Sequence, residues 1–200
     1  MTAWNPVKRS AMHHRHLAMG ASLMERGGWQ QPVRYSSVEE ELQRIKDGVG
    51  LCDISPAGKL SLQGNGLDHV LAAAFPDAAG LTVGTVRRVT GAHGPGPAPV
   101  VLARLALDEF LAVTPVNQAP VLAESLGDGP DGCAHVVDLT SGLAGVRIIG
   151  PKAGPLLAHV TELDTSPTAF PEMGCAQGKV AEVHGSLLRM DLGGVPSYPA

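Results

Sequence analysis

Two aspartates in this 200-residue chain each begin the same short pattern of an acidic, an apolar and a hydroxyl residue. The patterns are residues 53–55 (DIS) and 138–140 (DLT), and each precedes a predicted β-strand. An aspartate at such a position accepts backbone N–H bonds from nearby residues and forms a tight turn. The same carboxylate could instead contact a ligand. Both roles stay open, and the turn is the simpler one.

Three histidines, His13, His14 and His16, surround Arg15 near the start of the chain. Zinc would require a further ligand and roughly tetrahedral geometry, and adjacent side chains diverge on a helix. We therefore predict no metal site here and expect the histidines to lie on a mobile, solvated arm.

The chain has three cysteines, Cys52, Cys133 and Cys175, without CxxC spacing. This number and spacing support neither a disulfide framework nor a zinc site. No base can be placed beside them from sequence alone, so we predict buried structural thiols. The glycine-rich segments 64–66 and 91–96 lack the pattern of a phosphate-binding loop and are interpreted as turns. No catalytic residue is identified by these patterns.

Composition narrows the class of protein. Hydrophobic residues make up 44% of the chain, which is enough for a buried core. The net charge of -4 argues against nonspecific nucleic-acid binding, which needs a basic surface. No apolar run approaches the roughly 20 residues that span a bilayer, and the histidines and arginine near the start argue against a signal peptide. We therefore expect a cytoplasmic protein that binds neither nucleic acid nor membrane.

The spacing of apolar and turn-forming residues predicts an N-terminal arm over 1–36 and a first α+β unit over 37–127. The arm carries one short helix over 16–24 and an extended segment around Pro32. The unit is predicted to contain a helix over 37–46 capped by Ser37, a strand over 59–63, a helix over 67–74, a strand over 85–90, a hairpin of 100–105 with 110–113, and a helix over 115–126.

A second α+β unit is predicted over 133–192, after a turn-rich linker over 127–132 and before a tail over 193–200. Val146 and Ile148 match Leu60 and Leu62 of the first unit, at an offset of about 86 residues. The unit is predicted to contain a strand over 146–149, a helix over 153–160, and strands over 178–180 and 186–190. Regular structure is expected to break over residues 193–199, which leaves open whether the unit has its last strand and helix.

Several segments carry a family resemblance. They are residues 16–21 (HLAMGA), 28–36 (GWQQPVRYS), 49–55 (VGLCDIS) with Gly58 and Lys59, 108–113 (DEFLAV) and 150–153 (GPKA). Together they resemble the folate-binding part of the glycine-cleavage T protein (aminomethyltransferase) family. The resemblance implies two related antiparallel sheets with helices on one side, an α+β fold. It also implies a tetrahydrofolate cofactor, with Asp53, Ser55 and Lys59 as cofactor contacts, and transfer of a one-carbon group from an amine or methyl donor.

The chain differs from the family at positions that the family uses for catalysis and for binding the pterin ring. The family's carboxylate before its Asp-Glu-Phe strand is absent, since residues 96–100 read GPAPV. Pro56 and Ala57 replace a His-Met pair, and a Gly-Tyr-Thr-Gly-Glu segment is missing near Gly193. A pterin ring needs a carboxylate to accept its N–H groups. We therefore expect a folate-binding-type protein with impaired independent catalysis. If it is active, it is a tetrahydrofolate-dependent aminomethyltransferase or methyltransferase.

The second half is also similar to the gamma subunit of heterotetrameric sarcosine oxidase, a short member of the same superfamily. The similar segments are residues 137–140 (VDLT), 150–153 (GPKA) and 163–171 (LDTSPTAFP). The alternative function is therefore a non-catalytic, gamma-like subunit of a heteromeric sarcosine oxidase or related demethylating complex. Such a subunit would pack against a larger flavoprotein or folate-binding subunit. An exposed apolar patch would favour the subunit, and a polar cavity would favour the lone enzyme.

Overall fold

The computed structural model describes residues 7–93, 96–127 and 134–200. Its helices are α1 (His13–Ala18), α2 (Val38–Asp47), α3 (Leu67–Ala74), α4 (Ala119–Leu126) and α5 (Ala153–Leu157), with a 3-10 helix over Pro76–Ala78. Its strands are β1 (Lys8–Arg9), β2 (Ser22–Arg26), β3 (Trp29–Arg34), β4 (Gly50–Asp53), β5 (Gly58–Gln63), β6 (Val86–His93), β7 (Gly96–Ala106), β8 (Glu109–Thr114), β9 (His135–Asp138), β10 (Val146–Ile149), β11 (Cys175–Val180), β12 (Val183–Leu188) and β13 (Ser197–Pro199). None of the helices in these described ranges is long and apolar enough to cross a membrane.

The strands form one five-stranded sheet and several smaller ones, so the predicted α+β class is confirmed. The large sheet has the order β6-β7-β8-β5-β9, and its neighbours are antiparallel. The smaller sheets have the orders β1-β3-β2, β13-β10-β4 and β11-β12. Only β1 and β3 pair in parallel among the described strands.

The first core lies between the large sheet and two helices. Leu60 and Leu62 alternate on β5 and are fully buried, as the period of a half-buried strand requires. They pack in one cluster with Leu67 and Leu71 of α3 and with Leu122 of α4. Each such leucine stabilises the fold by about 1.5–3 kcal/mol. The helices therefore cover one face of the sheet, as expected from the resemblance.

The second core collects apolar residues from the later part of the chain. Ile148 of β10, Leu157 of α5 and Leu187 of β12 pack with two aromatic residues. Phe170 stacks on Tyr198 of β13, with ring centroids 6.4 Å apart. β13 pairs with β10 along Ser197–Pro199, so the expectation that regular structure breaks over residues 193–199 is wrong for this strand.

The predicted repeat is visible in the backbone. α3 begins at Leu67 and α5 at Ala153, which keeps the offset of 86 residues. The glycines that join strand to helix, Gly64 and Gly150, have φ values of 137° and 133°. A side chain rarely adopts this conformation, so glycine is required at both turns.

The two halves exchange strands. β4 precedes the first strand–turn–helix unit but pairs with β10 of the second. β9 precedes the second unit but pairs with β5 of the first. The unit boundaries of 37–127 and 133–192 stay predictions, since strands pair across them.

The N-terminal segment differs from the predicted arm. The helix spans His13–Ala18, and Ser22–Arg26 is a strand paired with β3 rather than the end of a helix. His13 and His16 are buried, so the expectation of a solvated histidine arm is wrong for these two residues. Pairing of Ser22–Arg26 with β3 outweighs the helix propensity of the segment.

Other local predictions are confirmed or corrected as follows. Ser37 caps α2 and accepts a hydrogen bond from the Glu40 N–H, as predicted. α4 begins at residue 119 rather than 115, because Asn117 has a φ of 65° that a helix does not allow. α5 ends at Leu157, short of the predicted residue 160. Residues 94, 95 and 128–132 of the predicted turns lie outside the described residues.

The cysteines do not share one environment. Cys175 is buried, as predicted, and burial raises its pKa to about 11. Cys52 is exposed, so the prediction of a buried thiol is wrong at this position. Cys133 lies outside the described residues.

We expect Gly150→Ala to destabilise the protein strongly. The new Cβ would lie 2.4 Å from the Gly48 carbonyl oxygen and 2.9 Å from the Ile45 carbonyl oxygen, in a backbone conformation that alanine disfavours. Strain and overlap together predict a loss of about 3 kcal/mol or more in the free energy of unfolding. Urea denaturation measures it.

Gly185→Ala is the matched control. A Cβ at Gly185 meets no atom within 4 Å. The free energy of unfolding should stay within about 1 kcal/mol of the unsubstituted protein. Equal losses in the two variants would contradict the steric argument.

Candidate functional site

Both aspartates that begin the repeated pattern form the predicted turn. The Ser55 N–H donates to Asp53 Oδ1 at 2.9 Å, and the Thr140 N–H donates to Asp138 Oδ1 at 2.8 Å. The turn interpretation is therefore confirmed for Asp53 and for Asp138. The ligand role remains a separate question, because each carboxylate has a second oxygen.

In each turn, the hydroxyl side chain also accepts a backbone N–H from a residue in the other half of the chain. The Gly145 N–H donates to Ser55 Oγ at 3.1 Å, and the Lys59 N–H donates to Thr140 Oγ1 at 3.1 Å. Two backbone bonds accompany them, from Ile54 N–H to the Gly145 carbonyl at 2.9 Å and from Leu139 N–H to the Lys59 carbonyl at 2.8 Å. We call residues 53–55 and 138–140 the crossed-turn pair. Each half thus contributes one bond to a hydroxyl side chain and one backbone bond. The two halves cap each other's strands in the same way.

The second oxygen of Asp53 is bound by the N-terminal segment. Oδ2 accepts the Ser10 hydroxyl at 2.5 Å and lies 2.9 Å from His16 Nε2. His16 Nδ1 lies 2.6 Å from the Tyr35 hydroxyl. The imidazole ring therefore joins the Asp53 carboxylate to the Tyr35 hydroxyl. The side chains of His16 and Asp53 are only 6% and 2% exposed, so water does not compete for these bonds.

Hydrogen bonding and burial shift the pKa of Asp53 in opposite directions. Burial alone would raise the pKa of its carboxyl, but hydrogen bonds from Ser10, His16 and Ser55 outweigh burial and hold the pKa below its ordinary value. The pKa of Tyr35 is raised, first by burial and then by the negative charge of Asp53. Asp53 is therefore a carboxylate at neutral pH, and Tyr35 keeps its proton.

Lys59 is a buried lysine, 7% exposed. Its Nζ donates to the carbonyl oxygens of Ser55 and Ala57, each at 2.8 Å. Burial lowers the pKa of Lys59, although the charges of Asp138 and Asp53 raise it. The ammonium group thus closes the first turn from the side, and its two carbonyl partners compensate for the water it has lost.

The three residues predicted as cofactor contacts lie together. Asp53, Ser55 and Lys59 are joined by hydrogen bonds through one turn. Sequence reasoning identified them but missed Ser10 and Tyr35, which supply or extend the bonds to Asp53. A carboxylate–imidazole–phenol chain of this kind can fix a tautomer and hold segments together. Ser55 Oγ is also used within the chain, by Gly145.

A cleft opens on the side of the other turn. It has a volume of about 250 Å³ and is lined by side chains that include Lys8, Trp29, Asn117, Asp138 and Thr140. The Lys8 ammonium lies over the Trp29 ring, 5.4 Å from its centroid. Within the described ranges, no group of three or more His, Cys, Asp and Glu side chains could hold a metal ion.

We expect Asp53→Asn to destabilise the protein by about 1–3 kcal/mol. The amide oxygen can still accept the Ser55 N–H, but the amide nitrogen would then face the Ser10 hydroxyl and His16 Nε2 as a further donor. Urea denaturation at neutral pH measures the loss. Asp164→Asn is the control, because exposed Asp164 forms the same turn with the Ser166 N–H, and its loss should stay under about 0.5 kcal/mol.

The stability difference between the unsubstituted protein and Asp53→Asn should also depend on pH. The folded-state pKa of Asp53 is lowered, so its stabilising contribution is present above the unfolded-state pKa of about 3.9 and is lost as the pH falls through the folded-state pKa. The stability difference between unsubstituted protein and Asp53→Asn should therefore shrink below about pH 4. A difference that stays constant down to pH 2 would contradict the assignment of these bonds to the carboxylate.

Comparisons with known proteins identify the family of this chain. The model of the GCVT N-terminal domain family matches residues 12–194. An aminomethyltransferase of Saccharopolyspora erythraea is 28% identical over 170 residues, which cover 82% of this chain and 46% of the relative. One of Acidobacterium capsulatum is 28% identical over 187 residues, which cover 91% of this chain and 49% of the relative. The chain thus spans about half the length of these relatives.

Two solved structures share the fold. The glycine cleavage system aminomethyltransferase T of Bartonella henselae superposes with a TM-score of 0.82 at 22% identity, over 96% of this chain and 53% of that one. A chain of the heterotetrameric sarcosine oxidase of Corynebacterium sp. U-96, in complex with pyrrole 2-carboxylate, superposes with a TM-score of 0.62 at 22% identity, over 96% of this chain and 85% of that one. With the family model matching most of its length, this chain belongs to the GCVT N-terminal domain family.

Proposed function

We propose that this chain is a protein of the folate-binding type in one-carbon metabolism whose independent catalysis is impaired, because its own residues hold tetrahydrofolate too weakly. The observation that carries the proposal is the internal engagement of Asp53, Ser55 and Lys59. A ligand that used these side chains would have to displace existing bonds. Each displaced bond to a charged group costs about 1.5–3 kcal/mol.

Tetrahydrofolate does not fit the predicted contact residues Asp53, Ser55 and Lys59 as they are bonded in this chain. A pterin ring requires a carboxylate with free acceptor positions, and Asp53 is buried and already accepts three hydrogen bonds. The cleft beside Asp138 has a volume of about 250 Å³, whereas ligand pockets enclose about 300–1,000 Å³. Cofactor contact by Asp53, Ser55 and Lys59 stays a prediction, and it requires the crossed-turn pair to open. No transfer step is proposed through the cofactor.

Family membership supports the one-carbon part of the proposal. Relatives named aminomethyltransferase are about twice as long as the segment they share with this chain. Their activity, and the folate or one-carbon donor that goes with it, therefore apply here only as a proposal. A cytoplasmic location likewise stays a prediction.

A second candidate function is a non-catalytic, gamma-like subunit of a heteromeric sarcosine oxidase or related demethylating complex. The exposed apolar stripe of α2 favours it, because Val38 and Leu42 lie four residues apart with 58% and 50% of their surfaces exposed. No residue of this ten-residue helix is buried. Such a stripe suits contact with a larger flavoprotein or folate-binding subunit. The 85% coverage of a chain from a heterotetramer agrees with a subunit of this size.

Calorimetry tests the first proposal. We expect titration of the full chain with tetrahydrofolate or its 5-formyl derivative to give no saturable heat up to about 1 mM, a binding free energy weaker than about 4 kcal/mol. Thermal unfolding of the same sample verifies that the protein is folded. Saturable binding that Asp53→Asn abolishes would overturn the proposal and support the predicted cofactor contacts instead.

Co-expression tests the second candidate. We expect the chain to form a stable complex with a larger flavoprotein or folate-binding subunit encoded beside its own gene, measured as mass by light scattering after gel filtration. Leu42→Lys should weaken the complex about 10-fold or more, because it places a charge in an apolar contact. Gln43→Lys makes the same charge on the neighbouring, polar side of α2 and should leave the complex intact. A chain that stays monomeric with each such subunit would remove this candidate.

A further inference from the structure

The cleft beside Asp138 lies where the N-terminal β1-β3-β2 sheet meets the large sheet. Lys8 and Trp29, which are paired neighbours on β1 and β3, form part of its lining. Asp138, at the end of β9, and Thr140 form another part. Lys8 and Asp138 are both exposed, so small solutes can reach them. The cleft therefore carries one positive and one negative side chain.

Hydrogen bonds hold the residues around the cleft in place. Asn117 Nδ2 donates to the Gly27 carbonyl oxygen at 3.0 Å, which joins the segment before α4 to the turn between β2 and β3. Asp138 Oδ1 accepts the Thr140 N–H at 2.8 Å, which fixes the carboxylate. Groups that are positioned before a ligand arrives lose less conformational entropy when it binds.

Neither charge of the cleft has a counter-charge. In the described part of the chain, no carboxylate lies within 4.0 Å of the Lys8 ammonium and no cationic group lies within 4.0 Å of Asp138. The charge of Asp138 acts on Lys59, but the Lys59 ammonium is bonded to two carbonyl oxygens instead. Oδ2 of Asp138 forms no hydrogen bond among the described residues. Lys8 and Asp138 thus line one cleft without pairing with each other.

This arrangement favours a ligand that carries both charges. The Lys8 ammonium lies over the Trp29 ring, 5.4 Å from its centroid, and this contact leaves its N–H donors available to an anion. A simple anion bound at Lys8 would be repelled by Asp138, and a simple cation at Asp138 would be repelled by Lys8. A zwitterion pairs with both side chains at once.

The remaining lining suits a short aliphatic skeleton. It includes the apolar side chains of Trp29 and of Ala119 and Pro120 at the start of α4. The volume of about 250 Å³ is below the range for drug-sized ligands. An amino acid is several times smaller than such a ligand, so the cleft has room for one.

We propose that this cleft binds a small aliphatic amino acid in its zwitterionic form. The ligand carboxylate accepts N–H groups from Lys8, and the ligand ammonium donates to Asp138 Oδ2. The amide oxygen of Asn117 supplies a further acceptor, because the amide nitrogen is the atom bonded to Gly27. The site uses none of the residues predicted as folate contacts, so it does not depend on folate binding.

Calorimetry and fluorescence with glycine and β-alanine, at neutral pH and constant ionic strength, test this proposal. We expect saturable heat with at least one of the two. Trp4→Phe leaves Trp29 as the one tryptophan of the chain, so its emission should change over the same concentration range. Acetate and methylammonium each carry only one of the two charges and should bind about 10-fold more weakly or less.

Two variants each remove one charge of the cleft. Lys8→Gln and Asp138→Asn should each weaken binding about 10-fold or more. Asparagine at position 138 can still accept the Thr140 N–H and form the turn. Lys46→Gln and Asp164→Asn are the matched controls, at an exposed lysine and at an exposed aspartate of the same turn type, and should bind as the unsubstituted protein does. Thermal unfolding verifies that each variant is folded.

Three results would overturn the proposal. The first is the absence of saturable binding of both amino acids up to about 10 mM. The second is acetate or methylammonium binding as tightly as the amino acids, which would indicate a site for a single charge. The third is binding that Lys8→Gln and Asp138→Asn leave unchanged, which would place the ligand elsewhere. None of these results bears on the tetrahydrofolate titration, because the probes differ.

Discussion

The crossed-turn pair is the constraint on which the rest of this structure depends. Each Asp–apolar–Ser/Thr turn closes on its own carboxylate and then receives a backbone N–H from the other half. Because the bonds are reciprocal, β4 must pair with β10, and β9 must pair with β5. The sheets are therefore completed by strands that are distant in sequence. Neither half could keep its edge strand if the other were displaced.

The turn over residues 53–55 also binds the N-terminal segment. Ser10 and His16 both bind Asp53, and Tyr35 holds the opposite side of the imidazole. These bonds explain why His16 is buried in a segment rich in polar residues. The same bonds also oppose the binding of a ligand to Asp53. A carboxylate whose bonds hold the N-terminal segment cannot accept the N–H groups of a pterin without releasing part of that segment.

Sequence alone predicts the parts of the fold that local chemistry determines. Ser37 identifies the start of α2 because a cap is a contact between neighbours in sequence. The alternation of β5 and the glycine after it identify the strand–turn–helix unit and its repeat. The pattern around Asp53 identifies a turn and a resemblance. The bonds of Asp53 to residues 37 and 43 positions away leave no local pattern, and neither does the pairing of β13 with β10. The burial of His16 cannot be predicted from sequence for the same reason.

The two copies of the turn have different environments, and the difference has a physical cause. At the first copy, Lys59 follows the turn and its ammonium group closes the turn through the carbonyls of Ser55 and Ala57. At the second copy, the equivalent position is Gly145, which has no side chain to do this. The first carboxylate is enclosed by the N-terminal segment, whereas Asp138 lines an open cleft. The first copy of the motif therefore stabilises the fold, whereas the second copy leaves a polar carboxylate at the surface. The geometry of the turn is common to both, so its function at each copy depends on what the surrounding chain places beside it.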